Sequence, residues 1–173
     1  MRRNPSSPAV NWVVSGPDTE RVLELDETDR MILSELQRDG RMTNVELARR
    51  IGMSAPPCLR RVRRLEELGV IRGFHAELDA AQLGWPVSFF VLVGLDSQKS
   101  QVLEEFEQTV IGWPELQACH MLNGAEDFLL HVLARDAAHQ QRLIHELTEM
   151  THVVRLRSFQ DIRTLSPHKG VPL

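Results

Sequence analysis

Cysteine is scarce in this chain: among 173 residues there are two, Cys58 and Cys119. They lie far apart and form no CxxC pair, which argues against a disulfide or a metal pair and for packed thiols. No apolar run approaches the ~20 residues that a membrane helix needs. The opening MRRNPSSPAVNWVV is basic, but its apolar patch is too short and broken for a secretory leader, so a cytoplasmic protein is expected. Internal repeats and low-complexity tracts are also missing. Hydrophobic residues at 42% and charged ones at 25% are ordinary for a folded chain and argue against global disorder.

The formal net charge of −4 conceals an uneven distribution. Between Arg41 and Arg72 there are eight arginines against three glutamates, a local +5 that leaves −9 for the remainder. A basic block inside an acidic chain fits a local anionic partner such as nucleic acid, and disfavours general adhesion to membranes or polyanions.

Residues 1–24, rich in Pro, Ser and charge, read as a flexible tail. Helical spacing of Ile32, Leu33 and Leu36 follows Asp26, a good N-cap, and Gly40 supplies a stop. Thr43 and Glu46 form a capping-box pattern before a second apolar stripe of Val45, Leu47, Ala48 and Ile51, ended by Gly52. Ser54 then opens a third helix, with Pro56 and Pro57 in a first turn that has no intrahelical use for their missing N–H groups. On a 3.6-residue wheel Cys58, Leu59, Val62, Leu65 and Leu68 share one half. Arg60 and Arg64 point the other way, with Arg61 and Arg63 on the flanks. Three short helices with a tight turn between the last two predict a helix-turn-helix over 25–72, its third helix suited to a DNA major groove. Arg60 and Arg64 are the expected base or phosphate contacts. Arg41, Arg61, Arg63 and Arg72 are expected phosphate anchors, and Ser54 and Ala55 approach the groove at the helix start.

Residues 73–86 read as a linker strand and hinge. From 87 to 166 a second module is expected, followed by a short tail over 167–173. The near-continuous apolar run at 87–96 predicts a strand buried on both faces. An amphipathic helix follows at 99–112, with Val102, Leu103, Phe106 and Val110 on one side. Two strands then flank a turn at Asn123–Asp127. A helix capped by Asp136 buries Leu143, Ile144 and Leu147, and a last alternating strand closes the sheet. The order βαββαβ is ferredoxin-like, so the chain as a whole is α+β. If the hairpin centres near Ala125 and Glu126, His120 and His131 face each other. No carboxylate or thiolate completes a metal shell around them, so packed histidines and no metal are expected. Nothing marks Cys119, on the opposite face, as a redox thiol.

These residues resemble the Lrp/AsnC family, the leucine-responsive or feast/famine regulators. The likeness runs from about Leu25 to Leu165. It is carried most specifically by LDETDRMILSELQRDGRMTNVELARRIGMSAPPCLRRVRRLEELGVI and, more weakly, by the G-x-x-D turn Gly124-Ala125-Glu126-Asp127. The resemblance implies a helix-turn-helix head joined to a ferredoxin-like ligand module, dimers formed through the sheets, and further assembly, often into octamers. It implies an amino acid or related metabolite bound at the turn, involving Gly124, Ala125, Glu126 and Asp127, with Ser158 at a small hydroxyl position on the last strand. No other cofactor and no catalytic residue is expected. Backbone N–H groups of such a turn suit an α-carboxylate, and a carboxylate suits an ammonium. Two adjacent acids further predict a preference for a cationic side chain such as arginine or lysine. An alternative stays open, because sirohaem decarboxylases resemble the same two-module plan and act as enzymes. Outward-facing Arg60 and Arg64 have no use in that reading.

Overall fold

The computed structural model describes residues 24–165 and 170–173, so the expected N-terminal tail lies almost wholly outside the described residues. The described residues divide into two units, one reaching His75 and including Gly170–Leu173, the other running from Ala76 to Leu165.

In the first unit, helix α1 (Glu27–Arg38) begins where Asp26 accepts the Asp29 N–H at 2.8 Å. Helix α2 (Asn44–Arg50) is capped by Thr43, whose hydroxyl accepts the Glu46 N–H at 3.2 Å. The returning half of the expected capping box is not made. Glu46 instead takes Arg50 at 2.8 Å, a partner one turn along the same helix. Helix α3 (Ala55–Glu67) follows Ser54, with proline in its first turn. Ser54 makes no side-chain cap bond. The reason is local: a cap hydroxyl serves the second or third N–H of the helix, and those positions are Pro56 and Pro57, which have none. Ile32, Leu33, Leu47, Ala48, Cys58 and Leu65 form the core, with Leu36, Ile51 and Val62 packed against it. The predicted stripes are narrower than drawn. Val45, Leu59 and Leu68 are exposed, because helices this short bury only the residues nearest the three-way contact. The turn before α3 uses Gly52 at φ +72°, a left-handed position that favours glycine.

No strand forms between Arg72 and Pro86, contrary to expectation. An extended segment needs a neighbouring ladder, and this one finds none among the described residues of its own chain.

The second unit is a four-stranded antiparallel sheet of β1 (Val87–Leu95), β2 (Leu116–Met121), β3 (Phe128–Ala134) and β4 (Val153–Gln160), in the order β2-β3-β1-β4. Helices α4 (Ser100–Ile111) and α5 (Ala137–Thr148) complete the βαββαβ sequence. Phe89, Val91 and Val93 of β1 pack with Phe128, Leu130 and Val132 of β3 and with Phe106, Val110, Leu143 and Leu147 of the helices. The other face of β1 is only half-buried at Phe90 and Leu92, so the strand is not buried on both sides as its composition predicted. Apolar composition reports what a strand can bury, and helices cover only one side of this sheet within the chain.

The β2–β3 hairpin pairs His120 with Leu129 and His131 with Ala118. It therefore centres between Gly124 and Ala125, one residue earlier than expected, and the two histidines are not opposite each other. Cys119 does face the core, where burial raises its thiol to about 11.

Candidate DNA-contact surface and ligand turn

The four arginines of α3 are not equivalent. Arg60 and Arg63 are exposed and have no ion-pair partner among the described residues. They stand on the side of α3 away from its buried residues Cys58 and Leu65. Arg61 is tied down: its Nη1 donates to Asp26 Oδ2 at 2.6 Å and to Asp29 Oδ1 at 2.8 Å. This is a correction to its expected part as a free phosphate anchor. Position 61 lies on the α1 flank of the helix wheel, within reach of the carboxylates at the start of α1. Arg64 Nη1 lies 3.4 Å from Asp29 Oδ2, and half of its side chain remains exposed. Arg64 is thus shared between α1 and solvent. Its pairing with Arg60 as an outward contact is only partly matched by the geometry.

The Asp29 side chain is 1% exposed, and sequence reading gave it no role. Its signal was available in LDETD, where an acid occupies a position one helical turn before the apolar Ile32 and Leu33. The Asp29 N–H first, and then the Arg61 guanidinium, hold the Asp26 carboxyl below the usual carboxylate range. Arg41, in the connection between α1 and α2, and Arg72, beyond α3, are exposed. Ser54 is exposed with its hydroxyl uncommitted to the helix, and Ala55 is partly buried beside it. Asn44 braces this corner by donating to the Ala55 carbonyl at 2.9 Å.

In the second unit the turn after β2 is Asn123–Asp127, as expected. Gly124 and Ala125 are exposed, while Glu126 and Asp127 are buried. Neither acid is idle. Asp127 Oδ2 accepts the Leu95 N–H at 2.7 Å, and Oδ1 accepts from Gln98 at 3.1 Å. Glu126 accepts from Arg155 at 3.3 Å and from Arg157 at 2.9 Å, and Arg155 also donates to the Ala125 carbonyl at 2.8 Å. The ion pairs lie directly over Gly94: a Cβ there would come within 2.7 Å of Glu126 Oε2 and 2.9 Å of Arg155. Two adjacent carboxylates therefore do not amount to a site awaiting a cation. The preference for arginine or lysine that they led us to expect has no free carboxylate behind it among the described residues.

Ser158 is not brought to this cluster. It pairs with Val91, on the helix-side face, whereas Arg155 and Arg157 pair with Gly94 and Leu92 and share the other face with Glu126. Sequence reading missed Arg155 and Arg157, although two arginines two residues apart on a strand must share a face. It also missed Gln98 and the Leu95 N–H, which no local pattern marks.

On the open sheet face His131 stacks on Phe90 with ring centroids 4.6 Å apart, and its Nε2 lies 2.9 Å from Ser88 Oγ. Burial pushes its imidazole below the ordinary value, with Asp161 acting weakly the other way. No group of three metal-ligating side chains occurs among the described residues. No helix among them is long and apolar enough to cross a membrane.

Comparison with known proteins agrees with this geometry. A family model described as winged helix-turn-helix DNA-binding matches residues 25–72, and one described as Lrp/AsnC ligand binding domain matches residues 88–171. The leucine-responsive regulatory protein of Rhizobium meliloti is 49% identical over 142 residues, covering 82% of this chain and 91% of that one. Its namesake in Escherichia coli K12 is 40% identical over 141 residues, covering 82% and 83%. Among solved structures, a transcriptional regulator of Neisseria meningitidis in complex with L-methionine is 31% identical. It superposes with a TM-score of 0.80 over 86% of this chain and 97% of that one.

Proposed function

The chain belongs to the Lrp/AsnC family of DNA-binding transcriptional regulators with an amino-acid-binding domain, and from that premise we propose how its two modules divide the work. Helix α3 enters the major groove of double-stranded DNA, and Arg60 and Arg63 make its leading contacts. The observation that carries this reading is their exposure, without a partner among the described residues, on the side of α3 opposite its core face. Guanidinium groups so placed neutralise phosphates or bond in a fork to guanine. Ser54, whose hydroxyl the following prolines leave free, contacts the backbone at the helix start.

The chain works as a homodimer in the cytoplasm. The half-buried apolar face of its sheet, with Phe90, Leu92 and Leu129, and with Phe159 at 49% exposure, supports pairing with a second copy. The two heads then read half-sites about 34 Å apart or a multiple of that, and dimers assemble further, into octamers. An amino acid binds at the Gly124–Asp127 turn and shifts DNA affinity by favouring one arrangement of the heads. The curated relatives are named as regulators, and no observation favours tetrapyrrole decarboxylation.

The test is a mobility-shift titration of the full chain on its own upstream DNA, with and without each amino acid. Salt-sensitive, sequence-preferring binding that one or a few amino acids alter is expected. Binding that ignores both sequence and salt overturns the proposal.

A further inference from the structure

We propose that Asp29 is a positioning residue for DNA recognition: its buried carboxylate, with Asp26 beside it, holds Arg61 and Arg64 and fixes the roll at which α3 presents Arg60 and Arg63. This rests on the DNA-binding reading above and goes beyond it, because it divides the arginines of α3 into two that meet the duplex and two that do not.

A carboxylate with 1% exposure is costly unless it is paired. Asp29 is paired on both oxygens and, among the described residues, its carboxylate is bonded only from α3: Oδ1 takes Arg61 and Oδ2 takes Arg64. Arg61 Nη1 is shared with Asp26 Oδ2 at 2.6 Å, while Asp26 Oδ1 caps α1. One guanidinium nitrogen thus bridges two carboxylates on the first turn of a neighbouring helix. Arg61 and Arg64 are three residues apart and lie on one flank. An apolar face alone leaves a short helix free to roll by small angles over its core. Two directional contacts on one flank remove that freedom. At 100° per residue they also decide where Arg60 and Arg63 point. The charges follow the same division. Asp26 and Asp29 pair with Arg61 and, at 3.4 Å, Arg64, which leaves Arg60 and Arg63 without an ion-pair partner among the described residues.

The experiment measures affinity against salt concentration, using the full chain, its own upstream duplex and a shuffled duplex of equal length. Circular dichroism monitors folding. Arg60→Ala and Arg63→Ala should each lower the salt slope by about 0.9 per head, the share of one phosphate-neutralising cation. Arg61→Gln and Asp29→Asn should leave the slope in place. Each should cost at least about fivefold in preference for the upstream duplex, roughly the discrimination of one base pair. The double variant should lose less preference than the two single losses combined, because both remove the Asp29–Arg61 contact. Arg61→Lys keeps the charge on a side chain one bond shorter. It leaves Asp29 countered, so it tests the idea even if Asp29→Asn fails to fold, and it too should lose preference at unchanged slope. A slope that falls for Arg61→Gln as it does for Arg60→Ala, or full preference in Arg61→Lys, overturns the assignment. A native chain with no salt-dependent preference at all sinks the regulator reading instead.

Discussion

Replacing Asp127 separates the two things an acid in this turn can do, hold the fold or hold a ligand. The residue is 7% exposed, and its carboxylate accepts a backbone N–H at 2.7 Å and a side-chain amide at 3.1 Å. Asp127→Asn keeps an oxygen for the Leu95 N–H but loses the charge, and hydrogen bonds to charged groups exceed neutral ones by about 1–2 kcal/mol. Asp127→Ala removes the acceptor altogether. It leaves a buried N–H unpaired at the end of β1, which adds about 1–3 kcal/mol. The expected losses are therefore about 1–2 kcal/mol for Asn and about 2–5 kcal/mol for Ala, before any relaxation. With a urea slope near ~2 kcal/mol/M, the midpoint should fall by roughly 0.5–1 M and roughly 1–2.5 M. Protein concentration must be held fixed, since assembly adds to apparent stability. Calorimetry with amino acids on the folded Asn variant completes the test. A purely structural Asp127 predicts near-native binding to D127N, and one that takes the ligand ammonium predicts its loss. Equal midpoints for the Asn and Ala variants, or an Ala loss below about 1 kcal/mol, would refute the reasoning from the Leu95 bond.

His152 adopts φ +74°, a conformation that costs a side-chain-bearing residue about 1–2 kcal/mol, and its half-exposed bond to Asp96 at 2.9 Å returns less than about 1 kcal/mol. Glycine at 152 should therefore be more stable than alanine by about 1 kcal/mol in thermal unfolding, the reverse of the usual order; alanine equal or better would count against the strain. Ser54→Ala should leave stability within about 0.3 kcal/mol, whereas Thr43→Ala, which removes a real cap, should cost about 1 kcal/mol. The first should weaken DNA binding all the same, and unaltered binding would remove Ser54 from the contact surface. His131 is held below the ordinary imidazole value of about 6.5 by burial. The unfolded chain then takes up its proton at higher pH than the folded one, so stability is full above that value and is lost as pH falls toward the folded pKa. The difference in urea midpoint between the native chain and His131→Gln should drift against the native chain from pH 7.5 to 5, and a flat difference would dismiss the burial effect.

Which features were legible in the sequence follows from the range of the forces behind them. Asp26, Thr43 and Asp136 cap their helices as read, because a cap is a contact over three residues. The element order βαββαβ stands as read, because each element carries its own periodicity and turn signals. Failures begin where two partners, near or distant in the chain, compete for one group. Glu46 chose Arg50 over the N-cap. Arg61 chose α1 over solvent, from 32 and 35 residues away. The hairpin centre lies one residue earlier because the pairing next to the turn, Met121 with Phe128, sets the register, and a shift of one residue changes every opposing pair. The acids of the Asn123–Asp127 turn failed as a charge count for the same reason: the cations of Glu126 lie 29 and 31 residues downstream on β4, and the donors to Asp127 lie upstream at Leu95 and Gln98. A sequence lists charges, but only the fold pairs them. On the reading proposed above, what pairing leaves over for DNA is Arg60 and Arg63, which have no ion-pair partner among the described residues.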